Sequence, residues 1–204
     1  MRKRIQTVIG ILLLLASNVA LAQADANTLV KNTVKTFRDK NNVEMVFSYS
    51  YLDANQEEAY ETHEGEAYLQ GEAYKVTLEE QQTISNGTTI WTYLVDDEEV
   101  MVSNASEGTD NTPIKLITTL DKDYTASYTD NKSTIELTNP KGQFKRIIVK
   151  FDNKNSLSQM RIYADDGSSM DITIKEWKYD QKLKDDFFTF DEKAYPEVEI
   201  IDMR

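Results

Sequence analysis

Cysteine is absent from the 204 residues, and histidine occurs once. The first absence removes disulfides, thiol nucleophiles, iron–sulfur clusters and thiolate zinc sites together. The second rules out a multi-histidine metal centre. Glycine is scarce, at seven residues, and neither a G-x-x-x-x-G-K-[ST] loop nor a dinucleotide-binding fingerprint occurs. Bases are outnumbered by acids, 23 to 35, and the formal charge of −12 argues against nucleic acid and against an anionic lipid surface, since both would repel the chain. What is plentiful is apolar: 40% hydrophobic and 10% aromatic residues are too many for a disordered chain and enough for a real core.

The first 22 residues read as an address. Arg2, Lys3 and Arg4 form a positive start, Ile5 to Ala16 an apolar stretch, and Ala20-Leu21-Ala22 an A-x-A cleavage site. This is the pattern of a secretory signal peptide, too short in its apolar run for a typical spanning helix. No cysteine follows it, so attachment by the lipoprotein route is excluded. Removing residues 1–22 leaves 182 of 204 residues, and losing three cations takes the charge from −12 to −15. Residues 23–204 are therefore expected to form one exported, soluble domain in the periplasm.

Asp25 to Lys40 predicts a helix, capped by Asp25 or Asn27, with Leu29, Val30, Val34 and Phe37 as its apolar stripe and Asn41-Asn42 as its end. The period then becomes two: Val43, Met45, Phe47, Tyr49 and Tyr51 alternate with polar residues along a strand. About ten strands follow, mostly antiparallel because the connections are too short for crossovers. Asn86-Gly87 and Asp166-Gly167 mark the clearest hairpin turns. One segment breaks the rhythm. Thr112 at a cap position and Pro113 at the first helical position open a short amphipathic helix that places Ile114, Ile117 and Leu120 on one face, with Leu116 alongside.

Chemistry has few candidates. His63 lies in the polar run Tyr60 to Glu66, best read as an exposed strand, and no nucleophile elbow accompanies it. The acid pairs Asp96-Asp97, Glu98-Glu99, Asp165-Asp166 and Asp185-Asp186 sit mostly in turns, and none fits the calcium loop. No catalytic residue, metal ligand or cofactor site is assigned. The aromatic strand faces say more: Phe47, Tyr49 and Tyr51 line one, Tyr74, Val76 and Leu78 another, Trp91 and Tyr93 a third. Such faces serve either a closed sandwich core or a partly open apolar surface covered by the helices, and periodicity does not separate the two.

Several segments, in order, resemble the LolA-like family of periplasmic outer-membrane lipoprotein carriers. Ile84 to Tyr93 is similar to that family's S-D-G-x-T-x-W-x-Y hairpin, with Asn86 for the usual Asp. Asn111-Thr112-Pro113 matches its N-T-P helix start, and Leu137-Thr138-Asn139-Pro140-Lys141 its L-T-P-K strand end with Asn139 inserted. Phe188-Thr189-Phe190 and Pro196 to Asp202 resemble its closing F-x-F…P-x-G-V-x-V-x-D, with Glu197 for the Gly. The resemblance implies a mainly β (α+β) fold: an open, half-closed antiparallel β-barrel whose helices form a lid over an apolar cavity.

It also implies a function and its partners. The carrier shields the acyl chains of a lipoprotein, or lipid, taking cargo from an inner-membrane ABC-type lipoprotein-releasing complex and passing it to an outer-membrane acceptor. A monomer without cofactor suffices. The ligand-binding residues so implied are Phe47, Tyr49, Tyr74, Val76, Leu78, Trp91 and Tyr93 from the sheet, and Ile114, Leu116, Ile117 and Leu120 from the lid. One departure stands out. Many family members carry an Arg-Pro pair at the turn aligned with Gln70-Gly71-Glu72, and its Arg latches the lid; here Gly71 and Glu72 stand instead. The other readings are a lipoprotein-sensing binding module and a closed β-sandwich interaction domain without ligand.

Overall fold

The computed structural model describes residues 25–54, 61–106, 112–129 and 133–204. The expected signal peptide, Tyr60 and Asn111 lie outside them. Helix α1 (25–38) opens the described chain, and Ala26, Val30, Val34 and Phe37 recur at helical spacing as its buried stripe. It ends two residues earlier than the sequence predicts. Asn27 is drawn inside it: its side-chain oxygen accepts the backbone N–H of Ala126 at 3.2 Å rather than capping the helix.

Twelve strands form one sheet. In chain order they are β1 (Val43–Leu52), β2 (His63–Gln70), β3 (Ala73–Thr77), β4 (Gln81–Ser85), β5 (Thr89–Leu94) and β6 (Glu99–Asn104), then β7 (Thr125–Tyr128), β8 (Thr134–Thr138), β9 (Arg146–Phe151), β10 (Leu157–Tyr163), β11 (Ser169–Tyr179) and β12 (Glu199–Asp202). Their spatial order is β12-β6-β5-β4-β3-β2-β1-β11-β10-β9-β8-β7, an open sheet that does not close into a barrel. Every pair is antiparallel except β12, which lies parallel to β6 at the edge. A sandwich needs two sheets, and the described residues make one. Two short helices, α2 (Pro113–Ile117) and α3 (Leu120–Asp123), interrupt the strands between β6 and β7. They replace the single helix expected there, because the chain turns at Thr118 and Thr119.

The main core lies between one face of the sheet and the helices. Val43, Met45, Phe47 and Tyr49 of β1 all point there, at 1% exposure or less. Two bulges keep the neighbouring strands in phase. On β11 the register shifts between Val46 and Phe47 of the partner strand, so both Ile174 and Trp177, three residues apart, pack on the core. On β10 a shift between Leu157 and Gln159 does the same for Leu157 and Met160. An extra residue is what lets a period-two strand present residues at odd spacing to one face.

The hairpin turns use their residues differently from a two-residue loop. In the Asn86-Gly87 and Asp166-Gly167 turns the glycine takes the positive φ, +89° and +87°, and the residue before it does not. Asn86 and Asp166 instead accept backbone N–H groups with their side-chain oxygens, from Thr88 and Thr89 and from Ser168 respectively.

Candidate functional site

The helix-covered face gathers most of the side chains singled out in the sequence. Phe47, Tyr49, Tyr74, Val76, Ile114, Leu116, Ile117 and Leu120 belong to one buried cluster, and Leu78 packs against it. Cross-strand pairing explains the sheet part: Ala67 opposes both Met45 and Val76, and Leu69 opposes both Val43 and Tyr74, so β1, β2 and β3 turn the same parity inward. The Phe47 ring lies across β2 at Gly65, where a Cβ would come within 2.5 Å of the ring. Only glycine leaves room for it.

Trp91 and Tyr93 sit elsewhere. Tyr74 pairs with Ser85 and Ser85 with Ile90, so the inward residues of β4 and β5 are Thr83, Ser85, Ile90 and Thr92. Trp91 and Tyr93 share the opposite face with Ile84, Val100 and Val102, and form a second cluster there with Phe190 and Val198 of the C-terminal segment. Tyr93 is 6.1 Å from the Phe190 ring and 5.1 Å from that of Tyr195. The single apolar surface expected from the sequence is thus two, back to back through the sheet. The sequence reading missed Met45, Ala67, Leu69, Ile174 and Trp177 on the helix-covered face, although the parity that places Phe47 and Tyr49 there also places Met45.

The lid is made of α2 and α3. Ile114, Ile117 and Leu120 are 3% exposed or less, so in this conformation the lid's own side chains fill the apolar face. Thr112 occupies the cap position of α2 but its hydroxyl makes no capping bond; Pro113 at the first turn starts the helix. Polar clamps hold the lid down. Lys115 of α2 pairs with Glu72 in the β2–β3 turn, and this pairing holds the Glu72 carboxyl below its ordinary range. Arg38, at the end of α1, donates to both carboxylate oxygens of Asp121 (2.8 and 2.9 Å) and to the Thr118 carbonyl (2.8 Å). The Gln70-Gly71-Glu72 turn, which has no Arg, therefore grips the lid through an acid at position 72.

At the other end of β1 a polar knot closes the aromatic row. The Tyr49 hydroxyl accepts the Glu79 backbone N–H at 3.1 Å and donates to Glu80 at 3.4 Å. His63 is not the exposed residue its polar neighbours predict. Its side chain is 18% exposed, its ring lies 5.4 Å from that of Tyr49, and it pairs with the Glu79 carboxylate. The hydrogen bond to Glu79 raises the His63 pKa above its usual 6.5. A raised folded-state pKa contributes stability that is fully present below pH 6.5 and fades as pH rises through the shifted value. His63→Gln is therefore expected to cost more stability at pH 5.5 than at pH 8.5 in urea melts; an equal loss at both would refute the pairing. Among the described residues no three His, Asp or Glu side chains are grouped to hold a metal, and no helix is long and apolar enough to cross a membrane.

Against known proteins, the sequence matches no curated protein. Among solved structures, an uncharacterized conserved protein from Thermus thermophilus is similar over 85% of this chain and 96% of its own, at 10% identity and a TM-score of 0.52. A LolA superfamily protein from Nitrosomonas europaea (11% identity, 81% and 97% covered) gives a TM-score of 0.43. Lipoprotein LppX from Mycobacterium tuberculosis (14%, 78% and 97%) gives 0.41. The family model described as outer membrane lipoprotein carrier protein LolA matches residues 75–191, more than half of the chain. With its open sheet and helices laid over one apolar face, the chain belongs to the LolA family.

Proposed function

We propose that this protein is a periplasmic carrier that shields the acyl chains of lipoproteins between the inner and outer membranes. The observation that carries the reading is the lid: two short helices cover the apolar face of an open sheet and are held by polar clamps at their edges. Such a cover can be lifted without dismantling the sheet. The contact residues are Phe47, Tyr49, Tyr74, Val76 and Leu78 on the sheet and Ile114, Leu116, Ile117 and Leu120 on the lid, acting through apolar contact without covalent chemistry.

Each buried CH₂ is worth about 0.8 kcal/mol, so acyl chains bring ample affinity. Lifting the lid exposes its apolar side chains again and subtracts from that sum, which keeps the grip weak enough for handover. The protein acts as a monomer exported by a cleaved leader (residues 1–22), receives cargo from an inner-membrane ABC-type complex and delivers it to an outer-membrane acceptor. Native mass spectrometry of the mature protein purified from its own envelope tests this. Co-purifying acylated lipoprotein is the expected result. Free phospholipid alone would demote it to a general lipid binder, and an apo mass with no uptake of a fluorescent fatty-acyl probe would overturn the reading.

A further inference from the structure

A groove of about 630 Å³ opens where the end of α1, the β2–β3 turn and the lid meet. Its floor includes Phe37 and Leu69, both members of the main core cluster. Its walls carry Arg38, Lys40, Lys115 and Lys122 against a single lining acid, Glu72. Four cations to one acid is the inverse of a chain with 35 acids and 23 bases. Two of the cations are committed elsewhere: Arg38 to Asp121, and Lys40 to Asp180 at 3.6 Å and to the Tyr179 ring. Among the described residues Lys115 pairs only with Glu72, whose side chain is 82% exposed, and Lys122 makes no close ion pair of its own but adds to the field that lowers the Glu72 pKa.

From this juxtaposition we infer that the groove is a headgroup site for a free acyl lipid with an anionic, phosphate-bearing head. The inference rests on the acyl-binding face of the carrier reading above and extends its ligands to an anionic phospholipid, because the diacylglyceryl-cysteine anchor of a lipoprotein carries no phosphate. Charge and hydrophobicity meet here in the order an amphiphile needs: the acyl chains leave the groove over Phe37 and Leu69 into the core, and the phosphate meets Lys115 and Lys122. The overall negative charge repels an extended anionic surface, but at contact distance the near cations outweigh charges farther than about one Debye length of 8–10 Å. A choline head would set its own cation against these walls.

The phosphate competes with Glu72 for Lys115. Because that pair ties α2 to the β2–β3 turn, the arriving headgroup loosens the clamp that keeps the lid shut. Ligand selection and lid opening then use one side chain.

Calorimetric titration of the mature protein with dihexanoyl phosphatidylglycerol, dihexanoyl phosphatidylcholine and inorganic phosphate tests this. The anionic lipid is expected to bind about tenfold more tightly than the zwitterionic one, the size of one charged hydrogen bond, and the ratio should shrink in high salt. Lys115→Gln with Lys122→Gln should bring it near one, while Glu72→Gln, which frees Lys115, should raise it. Lys122→Gln alone, at an exposed position, keeps the test readable should the double variant fold poorly. Equal binding of both lipids, indifferent to these changes, would overturn the headgroup site and leave the carrier reading intact. Binding of neither lipid would likewise overturn the headgroup site, while the carrier reading falls only if the fatty-acyl probe also fails to bind. Lysine-dependent binding of phosphate without lipid preference would mark a free-anion site and overturn the headgroup assignment.

Discussion

Phe47→Ala is expected to lower the stability of the mature protein by about 3–5 kcal/mol, the usual cost of emptying a buried phenylalanine site. Phe47 is fully buried, faces Ile174 across the β1–β11 pair and lies over Gly65 on the other side. Against a total of about 5–15 kcal/mol for a domain, the loss is large. The reverse change probes the same contact. In Gly65→Ala the new Cβ stands 2.5 Å from Phe47 Cζ and 3.2 Å from Leu78 Cδ2, so the ring must move. Such overpacking costs about 1–3 kcal/mol. In the double variant the added methyl enters space that the ring has vacated. Urea melts of the two single variants and the double one should therefore show the double to be less destabilised than the sum, by about 0.5–3 kcal/mol. Strict additivity would mean that the ring does not rest on Gly65.

Much of this architecture can be read from local pattern, because local pattern is what produces it. The stripe of α1, the alternation of β1 and the Pro113 start of α2 each follow from side-chain periodicity or backbone chemistry within a dozen residues. What escaped is decided at longer range. Periodicity says that Trp91 and Tyr93 share a face, but both faces of β5 carry apolar neighbours. The choice between them is made by pairing with Ser85 and by the arrival of Phe190 and Val198 about a hundred residues later. Strand β12 is exposed throughout and lies parallel to β6, so no inward alternation announces its partner. His63 looks solvated among Glu61, Thr62 and Glu64, and is covered only because Glu79 returns to it after a hairpin. The cationic groove joins residues 38, 72, 115 and 122, which no motif links. The family resemblance leads us to expect the lid, yet what holds it is a side chain to which the resemblance does not point: Glu72 pairs with Lys115.

Ile117→Asp and Trp91→Asp should separate the two apolar faces by function. Ile117 is fully buried under the lid, and a carboxylate there has no partner, so the side chain must reach water or stay protonated. Helices α2 and α3 have five and four residues and hold their place by their apolar side chains and edge clamps. The strands beneath keep their own ladder and the stripe of α1. The cheapest response is local: the lid lifts and the sheet stays folded. Closed, the lid occupies the ligand's place, so apparent acyl affinity is scaled down by the fraction of molecules that are open. Losing the burial of one isoleucine, about 1.5–3 kcal/mol, raises a small open fraction tenfold or more. That gain is outweighed at the site itself: Ile117 is a proposed ligand contact, and a carboxylate among the acyl-chain contacts costs more than the isoleucine burial it replaces. A fluorescent fatty-acyl probe should accordingly bind about tenfold more weakly to Ile117→Asp, with circular dichroism reporting an intact sheet. Trp91→Asp loosens the C-terminal segment around Phe190 and Tyr195 but leaves the helix-covered face untouched. Its probe affinity should stay within about twofold of the parent, since a change of well under 1 kcal/mol is all that distant, unshared packing transmits. If Trp91→Asp abolished probe binding while Ile117→Asp left it unchanged, the ligand would belong on the opposite face, against the C-terminal segment, and the helices would be structure rather than lid.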